Sequence, residues 1–152
     1  MIYCGVPVNQ WASSGVPVAI RKEWRHKIQD YTWILDRIIE TRIKVLYRNF
    51  FYSGLYVLVE GKEQDTEEFY RELQHNMDKI PKNENIILAG DFNGGIRNQP
   101  IPECIGPYGE QITNHNGATS RDFCAFNKLK ITNSTDTKTY TNLLGRQEVP
   151  NQ

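Results

Sequence analysis

The sequence has no surplus of either charge: Lys and Arg number 18, Asp and Glu number 18, and the formal net charge is zero. That balance leaves no basic excess to advertise nucleic-acid binding and weakens a nuclease reading. A phosphodiesterase that grips its substrate through a metal and a few local cations stays open. Cysteine is scarce as well. Cys4, Cys104 and Cys124 are the three in the chain; the number is odd, and no Cys-x-x-Cys spacing occurs. A disulfide framework and a cysteine-ligated zinc site are therefore not expected, and a reducing intracellular setting, cytoplasmic or nuclear, is. No apolar run approaches the roughly 20 residues that span a bilayer, so no membrane partner is expected. The opening Met1-Ile2-Tyr3-Cys4-Gly5-Val6-Pro7 has no basic segment ahead of an apolar one and does not read as a signal peptide. Histidine is limited to His26, His75 and His115. Internal repeats and low-complexity tracts are lacking.

What is present is a globular composition. The 152 residues are 39% hydrophobic and 24% charged, which suits one domain with a core of its own. Gly15 to Arg21 alternates Val16, Val18 and Ile20 onto one face, as a strand does. Trp24 to Tyr31 reads as a basic, aromatic connector. Ile34 to Leu46 is a second strand region, with Ile39, Thr41, Ile43 and Val45 facing one way and Glu40, Arg42 and Lys44 the other. Tyr47-Arg48-Asn49 can turn the chain. Phe50 to Val59 is nearly all apolar, as in a strand covered on both faces. Asp65, with Glu68 at the capping-box position, opens a helix that carries Phe69, Leu73, Met77 and Ile80 to Pro81. Ile86-Ile87-Leu88-Ala89 is a short buried strand. This strand–helix–strand order predicts a crossover unit, with Asp91 just past the carboxyl end of its second strand, where open α/β sheets place their chemistry. Gly94 to Thr119 reads as a long loop rich in Gly, Pro and Asn. A short helix over Arg121 to Asn127 and a short strand over Lys130 to Thr132 follow. The expected division is one domain over residues 1–145 and a tail over 146–152.

Asp91 and Asn93 form the sharpest local feature. They follow an apolar strand and precede Gly94-Gly95. A carboxylate and an amide two residues apart, on a bend where glycine lets backbone approach a ligand, can hold a hard cation or orient a water against phosphate. The same pattern also fits an Asp-x-Asn turn whose side chains bond only local backbone. A calcium loop fails, because the positions that need Gly and Glu hold Ile96 and Pro102.

Gly90-Asp91-Phe92-Asn93 after Ile86-Ile87-Leu88-Ala89 resembles the central motif of the endonuclease/exonuclease/phosphatase superfamily, the DNase I-like group. Ser14-Gly15-Val16, Asp36-Arg37-Ile38-Ile39 and Arg42-Ile43-Lys44 resemble its strands. Gly54-Leu55-Tyr56 is similar to its Gly-Val-Tyr-Ala-Pro segment up to the tyrosine. Glu60-Gly61-Lys62 and Glu67-Glu68-Phe69-Tyr70 are similar to the helix that follows. Trp24 to Ile28, Asn98 to Pro102, Gly109-Glu110-Gln111 and Thr113 to Gly117 resemble the craniofacial development protein 2-like and LINE-type retrotransposon endonucleases.

The resemblance implies an α/β fold, a partial two-sheet, four-layer α/β sandwich. It implies Mg²⁺-dependent phosphodiester hydrolysis on DNA or another phosphodiester. Asp91 would orient or activate the attacking water and touch the metal, Asn93 would bind the scissile phosphate or position that water, and Tyr56 would stand near the phosphate. Arg97 and His115 are the expected substrate-binding groups. The family's N-terminal Asn and metal-binding Glu, and its C-terminal Ser-Asp-His, have no counterpart in this sequence. Val57-Leu58 stands where Ala-Pro is usual, and Asn142 where a Trp is common. The expectation is an incomplete endonuclease-like domain with weak or absent activity. The alternative is a non-catalytic retrotransposon-derived fragment or nucleic-acid-binding module, for which the cluster Arg21, Lys22, Arg25, His26 and Lys27 around Trp24 offers a basic, aromatic surface.

Overall fold

The structure is a computed structural model that describes residues 2–5, 15–59, 61–135, 140–141 and 147–148. Glu60, Asn142 and most of the expected tail lie outside the described residues. The chain divides into two compact units, residues 1–93 and 94–152.

In the first unit, β1 (Ile2–Gly5) pairs antiparallel with β2 (Gly15–Val18). A 3-10 turn over Lys22–Lys27 leads into β3 (Ile28–Leu35), and β4 (Ile38–Val45) and β5 (Arg48–Tyr56) complete an antiparallel meander. Then α1 (Glu63–Met77) crosses over, and β6 (Asn85–Asp91) returns parallel to β5. The order β3-β4-β5-β6 makes a four-stranded mixed sheet, and the molecule is mixed α/β. The crossover read from the sequence is present.

One strand was hidden from the sequence. The expected connector over Trp24 to Tyr31 and the expected strand from Ile34 to Leu46 are a 3-10 turn and two strands, hinged at Asp36-Arg37. The physical reason is that β3 is an edge strand whose residues Gln29 to Trp33 are all exposed. A strand with no buried face writes no alternation into its sequence. The helix also starts earlier than expected, at Glu63. Lys62 is its N-cap and makes no side-chain cap bond, while Glu63 and Asp65 in the first turn suit the positive end of the helix dipole. It ends at Met77, before Pro81.

Alternation in β4 and β5 builds two faces. On one, Val16, Val18 and Ile39 form a cluster against which Ile20, Tyr52 and Tyr56 pack. Gly54 permits this: a Cβ there would stand 2.8 Å from Val18 Cγ2 and 3.0 Å from Ile39 Cγ2. On the other face lie Ile38, Glu40, Phe51, Ser53 and Leu55, all buried. Thr66, Phe69, Tyr70, Leu73 and Met77 are the buried residues of α1. Each large apolar side chain so buried contributes about 2 kcal/mol.

Glu40 is the exception among these apolar neighbours. It is 7% exposed and lines a cavity of about 190 Å³ together with Arg42, Phe51, Asn76 and Lys79. Its Oε1 has no hydrogen-bond partner among the described residues. Loss of water pushes the Glu40 carboxyl up to about 7, and Lys79 and Arg42 only partly offset this.

In the second unit, α2 (His115–Phe126) starts where the sequence suggested loop. Asn114 Oδ1 accepts the Gly117 amide at 2.8 Å and so caps it. The first turn holds Gly117 and polar residues of low helix propensity, which concealed it. Instead of the strand over Lys130 to Thr132, Ile131 makes an isolated bridge to Ile105 and a 3-10 turn follows over Thr132–Ser134. A small core gathers Cys104, Ile105 and Cys124 with Ile101, Phe123 and Leu129. The fold thus brings together two cysteines far apart in sequence, both free thiols. Burial pushes both thiols up, Cys124 to about 12, so neither is a ready nucleophile. Tyr140–Thr141 (β7) and Gln147–Glu148 (β8) form a final antiparallel pair. No helix among the described residues is long and apolar enough to cross a membrane.

Glu40 makes stability depend on pH with a fixed sign. Its folded pKa lies above the ordinary 4.5, so the native state favours the protonated acid. The stability this confers is fully present below about pH 4.5 and is lost as pH rises through 7. Thermal unfolding is expected to show the midpoint falling by roughly 4–8 °C between pH 5 and 7.5, for a change on the order of 2 kcal/mol. Glu40→Gln should flatten that slope. An equally steep slope in the variant would assign it to other groups.

Candidate functional site

The carboxyl ends of β5 and β6 gather the three expected reacting groups. The parallel register sets Leu55 beside Gly90 and Tyr56 beside Asp91. Beyond the last paired residues the backbone continues to bond: the Val57 amide donates to the Asp91 carbonyl at 2.9 Å. The Asn93 side chain answers from the other direction, its Nδ2 donating to the Val57 carbonyl at 2.7 Å. The Asn93 amide donates to Asp91 Oδ1 at 2.9 Å. Asn93 takes φ 46°, the left-handed conformation that asparagine tolerates well among residues with a side chain. The local-turn reading of Asp91-x-Asn93 is thus correct for one Asp91 oxygen, yet the bend also ties β6 to β5.

Gly90 is required by this geometry. Its φ is 152°, and a Cβ built there would stand 1.9 Å from the Leu55 carbonyl oxygen. Glycine is the residue that lets the chain enter the bend this close to β5.

Asp91 is exposed, and Tyr56 is half-buried with its ring against the Val16, Val18 and Ile39 cluster. The Tyr56 amide donates to the Arg37 carbonyl at 3.0 Å. This bond extends the β4–β5 ladder by one residue and sets Arg37 opposite Tyr56. Neither Arg37 nor Val57 has a role in the site that the sequence alone suggests. Counting back along β4 from Ile39 would have found Arg37; nothing in its side chain marks Val57, whose contribution is backbone.

The other expected site residues belong to the second unit. Arg97 is exposed and forms a backbone bridge with Glu110, and its amide donates to Thr113 Oγ1 at 2.9 Å. His115 is exposed and opens α2, so it is a helix residue and not the loop histidine expected. His75 is exposed on α1. The basic stretch Arg21 to His26 is exposed along the 3-10 turn, with Trp24 at 47%.

The donor set does not fit a resident Mg²⁺. Among the described residues no three His, Cys, Asp or Glu side chains converge. Asp91 brings one carboxylate, with one oxygen already accepting the Asn93 amide. Mg²⁺ keeps several waters and is commonly held by one or two carboxylates, so the second oxygen of Asp91 could serve as a single ligand and no more.

The chain is homologous to craniofacial development protein 2. It is 29% identical over 133 residues to that protein of Bos taurus, covering 87% of this chain and 22% of the relative. To craniofacial development protein 2 of Tragulus javanicus it is 28% identical over 133 residues, covering 87% of this chain and 23% of the relative. The chain therefore spans less than a quarter of the length of the curated relatives it matches. No protein-family model matches the chain, and no solved structure matches it.

Gly90→Ala is expected to destabilise the first unit by about 3 kcal/mol or more, since the methyl group has no position that spares the Leu55 carbonyl. Denaturant unfolding of the two proteins measures this. A loss below about 0.5 kcal/mol would show that the bend is not as drawn.

Proposed function

We propose that the carboxyl end of β5 and β6 is the water-orienting part of a phosphodiester-hydrolysing site. The site would be of the endonuclease/exonuclease/phosphatase type, in a retrotransposon-type domain built as a partial four-layer, two-sheet sandwich. Its substrate would be DNA or another phosphodiester. Turnover by this chain is weak. The observation that supports this reading is the register of Tyr56 against Asp91, with Asn93 clamped across to Val57. Three residue types suited to phosphate chemistry share one sheet end, where open α/β folds act on ligands.

The roles follow from the contacts. Asp91 spends one carboxylate oxygen on the Asn93 amide and is exposed, so its second oxygen can accept a hydrogen bond from water and aim it. Tyr56 presents a hydroxyl from a ring held by packing, which can donate to a phosphate oxygen. Asn93 fixes the spacing of the two strand ends. The Mg²⁺ dependence implied by the sequence resemblance finds no complete donor set in these residues.

That shortage favours a second reading, a nucleic-acid-binding module without turnover. The exposed basic run around Trp24 would then hold phosphate and stack bases.

Nicking of supercoiled plasmid DNA in MgCl₂ buffer separates the two. Slow nicking by the unaltered chain is expected, and Asp91→Asn should reduce it about a hundredfold while the circular dichroism spectrum is unchanged. Equal nicking by both proteins would contradict the role given to Asp91. DNA bound by both and nicked by neither would establish the binding reading in its place.

A further inference from the structure

The cavity of about 190 Å³ beside Glu40 lies on the sheet face opposite the cluster that holds Tyr56. It has no part in the phosphodiester reading. The register explains why a carboxylate stands in it. Thr32 of β3 lies opposite Glu40 on one side, and Ser53 of β5 lies opposite it on the other. Asp30, Arg42 and Phe51 form the next row in the same way. Directly paired residues share a face. Asn76, at the end of α1, and Lys79 and Ile80, in the turn after it, close the cavity over these rows.

The cavity is polar at one point and apolar around it. Glu40 is 7% exposed, and its Oε1 has no hydrogen-bond partner among the described residues. A buried acceptor without a donor is uncommon in folded proteins. Ile34, Phe51 and Ile80 supply the apolar wall. The volume lies below the roughly 300–1,000 Å³ of sites for drug-sized molecules, so the ligand that fits is small.

Charge decides the sign of that ligand. Two carboxylates, Glu40 and Asp30, line the cavity with two cations, Arg42 and Lys79. Arg42 is ion-paired at 3.4 Å with Glu84, which lies outside the lining. Lys79 is exposed, and its Nζ donates to Asn76 Oδ1 at 3.2 Å. Two carboxylates are therefore left with one exposed lysine. The carboxyl end of α1, where Asn76 sits, adds the negative end of the helix dipole. Loss of water drives the Glu40 carboxyl toward its neutral form, and a bound cation opposes that effect. A metal ion is poorly served, because no three His, Cys, Asp or Glu side chains converge among the described residues.

We propose that this cavity binds a small organic monocation, a primary ammonium on an apolar or aromatic body, whose N–H groups donate to the Glu40 carboxylate while the body packs on Ile34, Phe51 and Ile80. Lys79 is near enough for its charge to act on Glu40. It is the internal competitor for the carboxylate, and an arriving ammonium takes its place.

Nuclear magnetic resonance of the unaltered chain titrated with benzylammonium chloride in neutral buffer tests this. Saturable shifts are expected at the Thr32, Glu40, Phe51 and Asn76 amides. Benzyl alcohol and benzoate have a similar shape without the positive charge, and they should shift these amides little. Glu40→Gln should weaken benzylammonium binding roughly tenfold or more. Lys79→Met should strengthen it about threefold, because it removes the competing cation. Absence of saturable shifts with benzylammonium would overturn the proposal, and so would equal binding of either uncharged or anionic probe. Unchanged binding in Glu40→Gln, or weaker binding in Lys79→Met, would also overturn it. Should Glu40→Gln not fold, the three probes on the unaltered chain and the Lys79→Met comparison decide.

Discussion

The geometry of the candidate site hangs from the parallel pairing of β5 with β6, carried past both strand ends by Val57. Its amide donates to Asp91, and its carbonyl accepts from Asn93. One residue therefore bridges both sides of the bend. Without that bridge the bend beyond β6 would be joined to β5 through the strand pairing alone, and the position of Asn93 relative to Tyr56 would not be defined. With it, the three groups are held by backbone hydrogen bonds, which position side chains better than a mobile loop can.

That pairing depends on packing at a distance from the site. Gly54 and Ile39 let β2 lie against the sheet, and Tyr52 and Tyr56 pack on the same cluster. The ring of Tyr56 is thus fixed by apolar contact. The opposite face is less consistent. Glu40 sits among Ile38, Phe51 and Leu55 with an oxygen unpartnered, and Arg42 leans on Glu84 at 3.4 Å. A buried carboxyl beside two cations costs desolvation that their attraction only partly offsets.

The sequence made the site legible in one respect and left it hidden in another. Asp91 and Asn93 stand out in the sequence because they follow an apolar strand and precede Gly94-Gly95, whereas Tyr56 lies inside the apolar run Phe50 to Val59 and stands out only by resemblance. The crossover was readable because β5 and α1 carry strong apolar patterns. Edge strand β3 was missed, since five successive residues face solvent and leave no period. The start of α2 was missed because a single Asn114 cap outweighs a weak helix sequence. The place of Arg37 opposite Tyr56 depends on a register that spacing alone does not fix. The likeness to craniofacial development protein 2 covers most of this chain but about a fifth of the relatives.

The central claim is that β6 leaves its strand beside Val57 with Tyr56 opposite Asp91. A scalar coupling across the hydrogen bond from the Val57 nitrogen to the Asp91 carbonyl carbon measures it without any variant. A detectable coupling is expected, together with slow exchange of the Val57 amide. A missing coupling, with Val57 exchanging as fast as an amide in open water, would show that the strand ends are not joined and would remove the basis for the site.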